Sequence, residues 1–404
     1  MGKSAISAAV CAQPSSIVVS PEPGGGPDLL ELFAGVSDGR SGQGRDHPVA
    51  AVLALAASAV AAGMRGYTAI SGWVADVPPE VLAGLYVRAG AMPGPPPSKT
   101  TIWRVITDVD AGALDAAVGT WLMDLAGLAT PAAPAEDGRP PALTQVRLDG
   151  KAIRGAKDAD GKQVRLLAAM IGPDAATSVI AAQAEVGKKT NEVPMAKAVL
   201  AQVDLNGKVV TADALHTVKA TANFIRQHGG EFILPVKENR QALFDAVNAL
   251  PWDKAPIAHT ATDKGHGRIT TRTIQVLPAP EGLPFPHVSQ VFLIERHVTG
   301  PRGQPVSAVA ALGVASPEAG HAGPADLARY VREQWSIESL HWIRDTLYQE
   351  DQSQVRTRSG PRAMVALRNL AIGALRLAGR TDVTEATRWA ARSMDRPFTI
   401  LGLT

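Results

Sequence analysis

The chain has 404 residues, 46% hydrophobic and 19% charged. That allows two or three domains and excludes collagen-like, coiled-coil and wholly disordered chains. A single cysteine, Cys11, excludes a disulfide framework and a thiolate zinc site within one chain. The net charge of +2 is unevenly spread: residues 1–140 hold 8 Lys and Arg against 13 Asp and Glu, so 141–404 carry the basic excess.

Residues 1–27, rich in small residues, Pro and Gly, read as a disordered N-terminus. Lys3 and the weak apolar stretch Ala5–Ala12 make a poor secretory signal. The apolar run Val49–Ala62 is shorter than the ~20 residues that span a bilayer, so it reads as a buried helix. A soluble, cytoplasmic protein with no membrane partner is expected. Residues 28–130 read as a helical domain, with helical spacing over Pro79–Arg88 and Thr101–Leu125 and Ser98 as an N-cap. Lys99–Arg104 opens the last of these helices with positive charge. A DNA-reading helix-turn-helix and a plain packing domain both fit it. Residues 131–141, with four prolines, form a linker.

Alternation of β and α begins after the linker, and residues 142–249 read as the first part of an α/β core. Gln145–Asp149, Val164–Ile171 and Ser178–Glu185 are consecutive strands. A helix over Val193–Val203, a strand Lys208–Ala212, a helix over Val218–Gln227 and a strand Phe232–Val236 follow. This pattern predicts a mixed sheet with flanking helices. Residues 250–322 form a β-rich insertion, with strands over Ile269–Leu277, Gln290–His297 and Pro305–Val314. Residues 323–404 complete the core with helices. Within them, Ser353–Arg380 holds six arginines and no acid or lysine, which fits either a polyanion partner or a solvated helix face.

Three acids stand out by position. Asp149 ends the first strand, Asp213 ends the fourth, and Glu338 sits mid-helix. Neighbouring strand ends can meet in a mixed sheet, and a helix across that edge can supply the third carboxylate. On that helix Ile337, Leu340 and Leu347 form the buried stripe with Arg344 at its margin. Trp335, Glu338, His341, Trp342 and Asp345 share an adjacent face away from the core. Three carboxylates without cysteine suit a hard cation, Mg²⁺ or Mn²⁺. Two such ions can activate a nucleophile and stabilise a leaving oxygen at a phosphodiester. The bland alternative is a turn at Asp149-Gly150, a helix cap at Asp213 and a surface salt bridge at Glu338.

These segments resemble the catalytic motifs of DDE transposases of bacterial insertion sequences, in the ISAs-type branch that includes the H-repeat-associated proteins. Leu148-Asp149-Gly150-Lys151-Ala152-Ile153-Arg154-Gly155 resembles the family's first motif and Val210–Ala214 its second. Arg332–Trp342 resembles the third, with Gln334 replacing a histidine. Lys189–Glu192, Lys237–Asn239, Gly265–Arg268, Glu350–Arg356 and the helical segment His47–Trp73 are similar to further family landmarks. The resemblance implies an RNase H-like fold in which Asp149, Asp213 and Glu338 are catalytic and bind metal. It implies a transposase that cuts the ends of its element and joins the freed 3′-hydroxyl to target DNA, as a dimer or higher oligomer on DNA. A catalytically inactive DNA-binding descendant is the alternative, and a nuclease without joining a third reading. A glycosidase fits poorly with only 4% aromatic residues. Two departures stand out: Asp345 occupies the place where related transposases outside this branch carry a lysine, and Arg240 replaces a glutamine after Asn239.

Supporting residues carry paired readings. Arg332 suits a DNA phosphate or a surface ion pair, and His341 suits DNA, a metal-bound water or a structural role. Trp335 and Trp342 suit base stacking or the core. His266 and Arg268 lie in a Gly-flanked loop that fits DNA or a simple turn. Lys151 and Arg154 can neutralise phosphate beside Asp149 or balance Asp158 and Asp160. Lys237 and Asn239 sit at the same sheet edge, and Arg356 leads the arginine-rich segment as a further DNA contact.

Overall fold

The computed structural model describes residues 26–42, 45–129, 141–157, 161, 163–187, 192–265 and 267–404. The expected disordered N-terminus up to residue 25, the linker up to residue 140, Lys189–Asn191 and His266 lie outside them.

Among the described residues six helices come first: α1 (Leu29–Ala34), α2 (Val49–Ala61), α3 (Tyr67–Ala75), α4 (Pro79–Arg88), α5 (Lys99–Asp108) and α6 (Ala111–Leu125). Helix α2 is buried from Ala50 to Ala61, which its uniform Ala/Val/Leu composition demands. Ser98 caps α5 by accepting from the Thr101 N–H at 3.2 Å. The expected single helix over Thr101–Leu125 is two. Val109 leaves helical geometry and Asp110 starts α6 by accepting from the N–H groups of Gly112 and Ala113.

Among the described residues nine strands form one mixed sheet: β1 (Thr144–Lys157), β2 (Gln163–Gly172), β3 (Val179–Glu185), β4 (Lys208–Thr211), β5 (Glu231–Val236), β6 (His259–Gly265), β7 (Arg268–Pro278), β8 (Gln290–Thr299) and β9 (Pro305–Ala315). Their order is β3-β2-β1-β4-β5-β9-β8-β7-β6, with β1–β4 and β4–β5 parallel and every other pairing antiparallel. The β-rich stretch extends the same sheet, because β9 pairs with β5 from Ile233↔Ala315 to Val236↔Leu312. Helices α7 (Glu192–Leu200), α8 (Lys219–Gln227) and α9 (Gln241–Asn248) connect the central strands. The arrangement is consistent with an RNase H-like fold flanked by an N-terminal helical region.

After β9 come α10 (Pro324–Glu333), α11 (Ser336–Thr346), α12 (Gly360–Leu377), α13 (Val383–Ala390) and α14 (Asp395–Ile400). Helix α12 packs against α2, α6 and β3, so one hydrophobic core spans the N-terminal helices and the sheet. Among the described residues no helix is long and apolar enough to cross a membrane.

The arginine-rich segment departs from both sequence readings. Arg358, Arg362, Arg368 and Arg380 pair with Asp108, Asp115, Glu350 and Glu385, and Arg376 donates to the Ser178 carbonyl. Only Arg356 is exposed with no acid partner among the described residues, and its Nε donates to the Gly155 carbonyl at 2.9 Å. Arg344, expected at the margin of its helix stripe, is fully buried.

Candidate active site

Strand register explains why the two aspartates meet. Strands β1 and β4 run parallel and their last pair is Arg147↔Thr211. Asp149 and Asp213 each lie two residues further on, where side chains of the same face recur. Asp149 does not end its strand, as the sequence reading had it. It pairs with Ala168 of β2 and β1 continues to Lys157. Asp213 has left β4 and caps a short 3-10 turn, Ala214–His216, by accepting from the Leu215 N–H at 3.0 Å.

The third acid is placed by a polar junction. Glu338 is not mid-helix: the chain breaks between α10 and α11, and Glu338 lies in the first turn of α11. Arg147, fully buried, donates Nε to the Glu333 carbonyl and pairs with its carboxylate, both at 2.9 Å. Gln145 donates to Thr211 Oγ1 and the Tyr330 carbonyl, both at 2.8 Å. Thr211 donates to Gln334 Oε1, and Gln334 Nε2 donates to the Leu148 carbonyl at 3.1 Å. Gln334, the departure from the motif, thus ties the junction to β1 and β4 one turn ahead of Glu338.

A fourth acid joins the set, and the sequence reading did not select it. The Glu192 carboxylate lies so close to Gly150 that a Cβ there would meet it at 2.7 Å, which explains a glycine in mid-strand. Burial first, then repulsion from Glu338, Asp213 and Glu192, pushes the Asp149 carboxyl up to about 7, against a partial offset from the Gly150 N–H. Glu192 is also raised, by burial and by Asp213, with Arg165 opposing. Among the described residues no Lys or Arg is ion-paired with Asp149, Asp213 or Glu338. The signal for Glu192 was its place in a motif-like stretch just before an apolar helix.

Each aspartate also has an imidazole beside it. His341 Nδ1 is 3.5 Å from Asp149 Oδ2, and His216 Nε2 is 4.0 Å from Asp213 Oδ1. Burial, reinforced by Arg344 and Lys151, pushes His341 down to about 3, so it is neutral and this contact is no ion pair. Burial likewise lowers His216.

The remaining candidates divide. Lys151 pairs with Asp345 at 2.6 Å, and Arg332 with Asp263 of β6 at 3.0 Å. Arg154 is largely exposed, 3.5 Å from Asp351. Asn239 Nδ2 donates to the Ala214 carbonyl at 3.0 Å and Arg240 Nε to the Thr217 carbonyl at 2.8 Å. That loop therefore buttresses the Asp213 turn, which gives Arg240 a role at its departure from the motif. Lys237 and Arg268 are exposed. Trp335 and Trp342, on the face turned away from the core, are 65% and 64% exposed, which excludes the core reading for both. Among the described residues no three His, Cys, Asp or Glu side chains are gathered closely enough to hold a metal ion in this conformation.

The transposase DDE domain family matches residues 142–373, and the DDE_Tnp_1-associated family matches residues 30–122. The chain belongs to the DDE transposase family and has a role in DNA recombination. Within it, the chain is related to the insertion-sequence and H-repeat-associated branch. It is 31% identical to an uncharacterized protein in the dhlA 3′ region of Xanthobacter autotrophicus, over 57% of this chain and 73% of that protein. It is 25% identical to the putative transposase YncI of Escherichia coli O157:H7, over 86% and 87% of the two chains. It is 23% identical to the H repeat-associated putative transposase YhhI of Escherichia coli K12, over 86% and 90%. A piggyBac transposase synaptic complex with hairpin DNA aligns with 93% of this chain and 76% of its own at a TM-score of 0.40 and 12% identity.

Proposed function

We propose that this chain is an active DNA transposase, with Asp149, Asp213 and Glu338 as its catalytic acids. It would cut a phosphodiester at the ends of its element with water, giving a 3′-hydroxyl and a 5′-phosphate, and that hydroxyl would then attack a target phosphodiester and displace the target's own 3′-hydroxyl. The observation that supports this most is the unneutralised set of carboxylates: burial first and mutual repulsion after it raise Asp149 to about 7, while Lys151 nearby is engaged by Asp345. Such repulsion is kept where a cation or a reacting group offsets it.

The donor set is all oxygen, a chemistry that suits Mg²⁺ or Mn²⁺ as one ion or a pair, which Asp149, Asp213 and Glu338 would hold with Glu192 beside them. A bound divalent ion would supply Lewis-acid stabilisation of charge on the phosphate oxygens. The chain's own part is positioning. Gln334 and Arg147 hold the α10–α11 junction, Asn239 holds the Asp213 turn, and neutral His341 and His216 lie beside the aspartates without cancelling their charge. Trp335 and Trp342 offer exposed rings for a displaced base, and Arg154, Lys237, Arg268 and Arg356 are exposed bases for phosphate. Pairing two element ends calls for at least two copies on DNA. The helical region 28–130, the core 142–249 with 323–404, and the β-rich 250–322 would divide DNA holding from chemistry.

The test is Mg²⁺-dependent cleavage of a fragment carrying the element's terminal repeats, with wild type and Glu338→Gln side by side. Cleavage by wild type alone supports the reading. Binding by both proteins with cleavage by neither favours an inactive DNA-binding descendant, and equal cleavage by both sinks the assignment of Glu338.

A further inference from the structure

A cleft of about 480 Å³ lies between the start of α3, the head of α5 and the segment that follows α11. Two bases, Arg65 and Lys99, line it and no acid does. Its other polar walls are neutral, among them Thr68, Gln352 and Gln354. The N-terminal region is acidic in balance, so unpaired bases there are not a by-product of composition. Among its described residues Arg40 and Arg45 pair with Asp38, and Arg88 pairs with Asp28. Arg65, Lys99 and Arg104 alone have no partner among the described residues; all three are exposed, and Arg65 and Lys99 line the same cleft.

Helix α5 carries two of the three, Lys99 and Arg104, on its exposed side. Ile102, Val105 and Ile106 are buried, so the helical repeat turns Lys99, Thr100, Trp103 and Arg104 outward. Trp103 is 38% exposed. The opposite wall of the cleft leads toward the acids. Gln354 is followed by exposed Arg356, which donates to the Gly155 carbonyl of β1, on the same strand as Asp149. At ~3.3 Å per strand residue, Gly155 lies roughly 20 Å from Asp149, about six nucleotides along one DNA strand.

We propose that this cleft and the outer face of α5 grip the phosphate backbone of duplex DNA flanking the bond to be cut. Arg65 and Lys99 hold phosphates in the cleft, and Arg104 with Trp103 extends the contact along α5. The inference rests on the transposase reading above and adds where the duplex is held. Guanidinium and ammonium groups free of acid partners release counterions when they meet phosphate, which makes binding strong and salt-dependent. The contact is non-specific in sequence, since phosphates carry no base identity.

The test measures binding of a fluorescently labelled random-sequence duplex by anisotropy across a salt series. It uses the full-length Glu338→Gln chain, so that no cleavage intervenes. Arg65→Ala/Lys99→Ala should weaken binding by about tenfold or more and flatten the slope of log K against log salt by about 2. A control pair that removes the same charge from exposed sites outside the cleft, Lys219→Ala/Lys254→Ala, should leave both nearly unchanged. All four side chains are exposed, so the fold is retained, and an unchanged thermal midpoint checks it. Wild-type-like binding by the cleft variant, or equal losses from both pairs, overturns the cleft and leaves the transposase reading standing. Absence of salt-dependent duplex binding by the parent chain overturns both.

Discussion

Helix α11 carries charge at both ends, and the two ends differ in how that charge is balanced. At its start Glu338 joins Asp149, Asp213 and Glu192, four acids with no Lys or Arg ion-paired to the first three among the described residues. Near its end Arg344 meets Glu350 at 2.6 Å, and Arg368 meets the same carboxylate at 3.0 Å, all three side chains at most 2% exposed. Burial alone would raise Glu350, but the two guanidiniums hold it down to about 2. Burial and repulsion act together on Asp149 and raise it to about 7. Similar chemistry on one helix thus serves opposite ends. The balanced cluster fixes α11 against α12, and the unbalanced one stores repulsion where a ligand can relieve it.

Substitutions that neutralise one acid in each cluster separate the two most strongly. Glu338→Gln should remove DNA cleavage while the thermal midpoint stays within a degree or two, because an exposed acid under repulsion is lost. Glu350→Gln leaves two buried guanidiniums facing a neutral amide and should cost about 3–5 kcal/mol, read as a fall in the urea midpoint. A midpoint unchanged by Glu350→Gln would erase the contrast.

The pH dependence should differ in sign. Asp149 is raised from 3.8 to about 7, so its folded state binds the proton more tightly than the unfolded chain. Its contribution to stability is present below about pH 4 and is lost as pH rises through 7. Glu350 is lowered from 4.5 to about 2, so its contribution is present above 4.5 and is lost as pH falls through 2. Urea midpoints across pH 2–8 should therefore show two limbs worth a few kcal/mol each. Asp149→Asn should flatten the neutral limb, and Glu350→Gln the acid one. Mg²⁺ at 100 times its dissociation constant should restore about 2.7 kcal/mol at neutral pH in wild type and much less in Asp149→Asn.

The strands were readable because alternation and β-branched runs between Gly and Pro loops leave few alternatives, and Lys208–Ala212 and Phe232–Val236 fall within a residue or so of β4 and β5. Asp149 was misplaced within its strand because Asp-Gly signals a turn. Here glycine answers a crowding that only the fold creates, the approach of Glu192. The arginines of 353–380 misled for a related reason, since charge pattern carries no burial and their acids lie far away in sequence, as Asp108 and Asp115 do. The break before Ser336 was hidden because Gln334 looks like an ordinary helix residue until Thr211 and Leu148 claim its amide.

The smallest predicted effect concerns the seam between the two clusters. Lys151 of β1 and Asp345 of α11 meet at 2.6 Å with side chains 11% and 31% exposed, and the other Asp345 oxygen is buried with no hydrogen-bond partner among the described residues. The pair tethers the helix that bears Glu338 to the strand that bears Asp149. Its partial exposure limits its worth to about 1 kcal/mol. Lys151→Ala and Asp345→Ala should each lower the urea midpoint slightly, and the double variant should cost less than the sum of the two. The charge-swapped pair Lys151→Asp/Asp345→Lys should recover part of the loss in both stability and cleavage. A coupling near zero would mean that the tether is not used, leaving Lys151 free for the phosphate contact that its place beside Asp149 also permits.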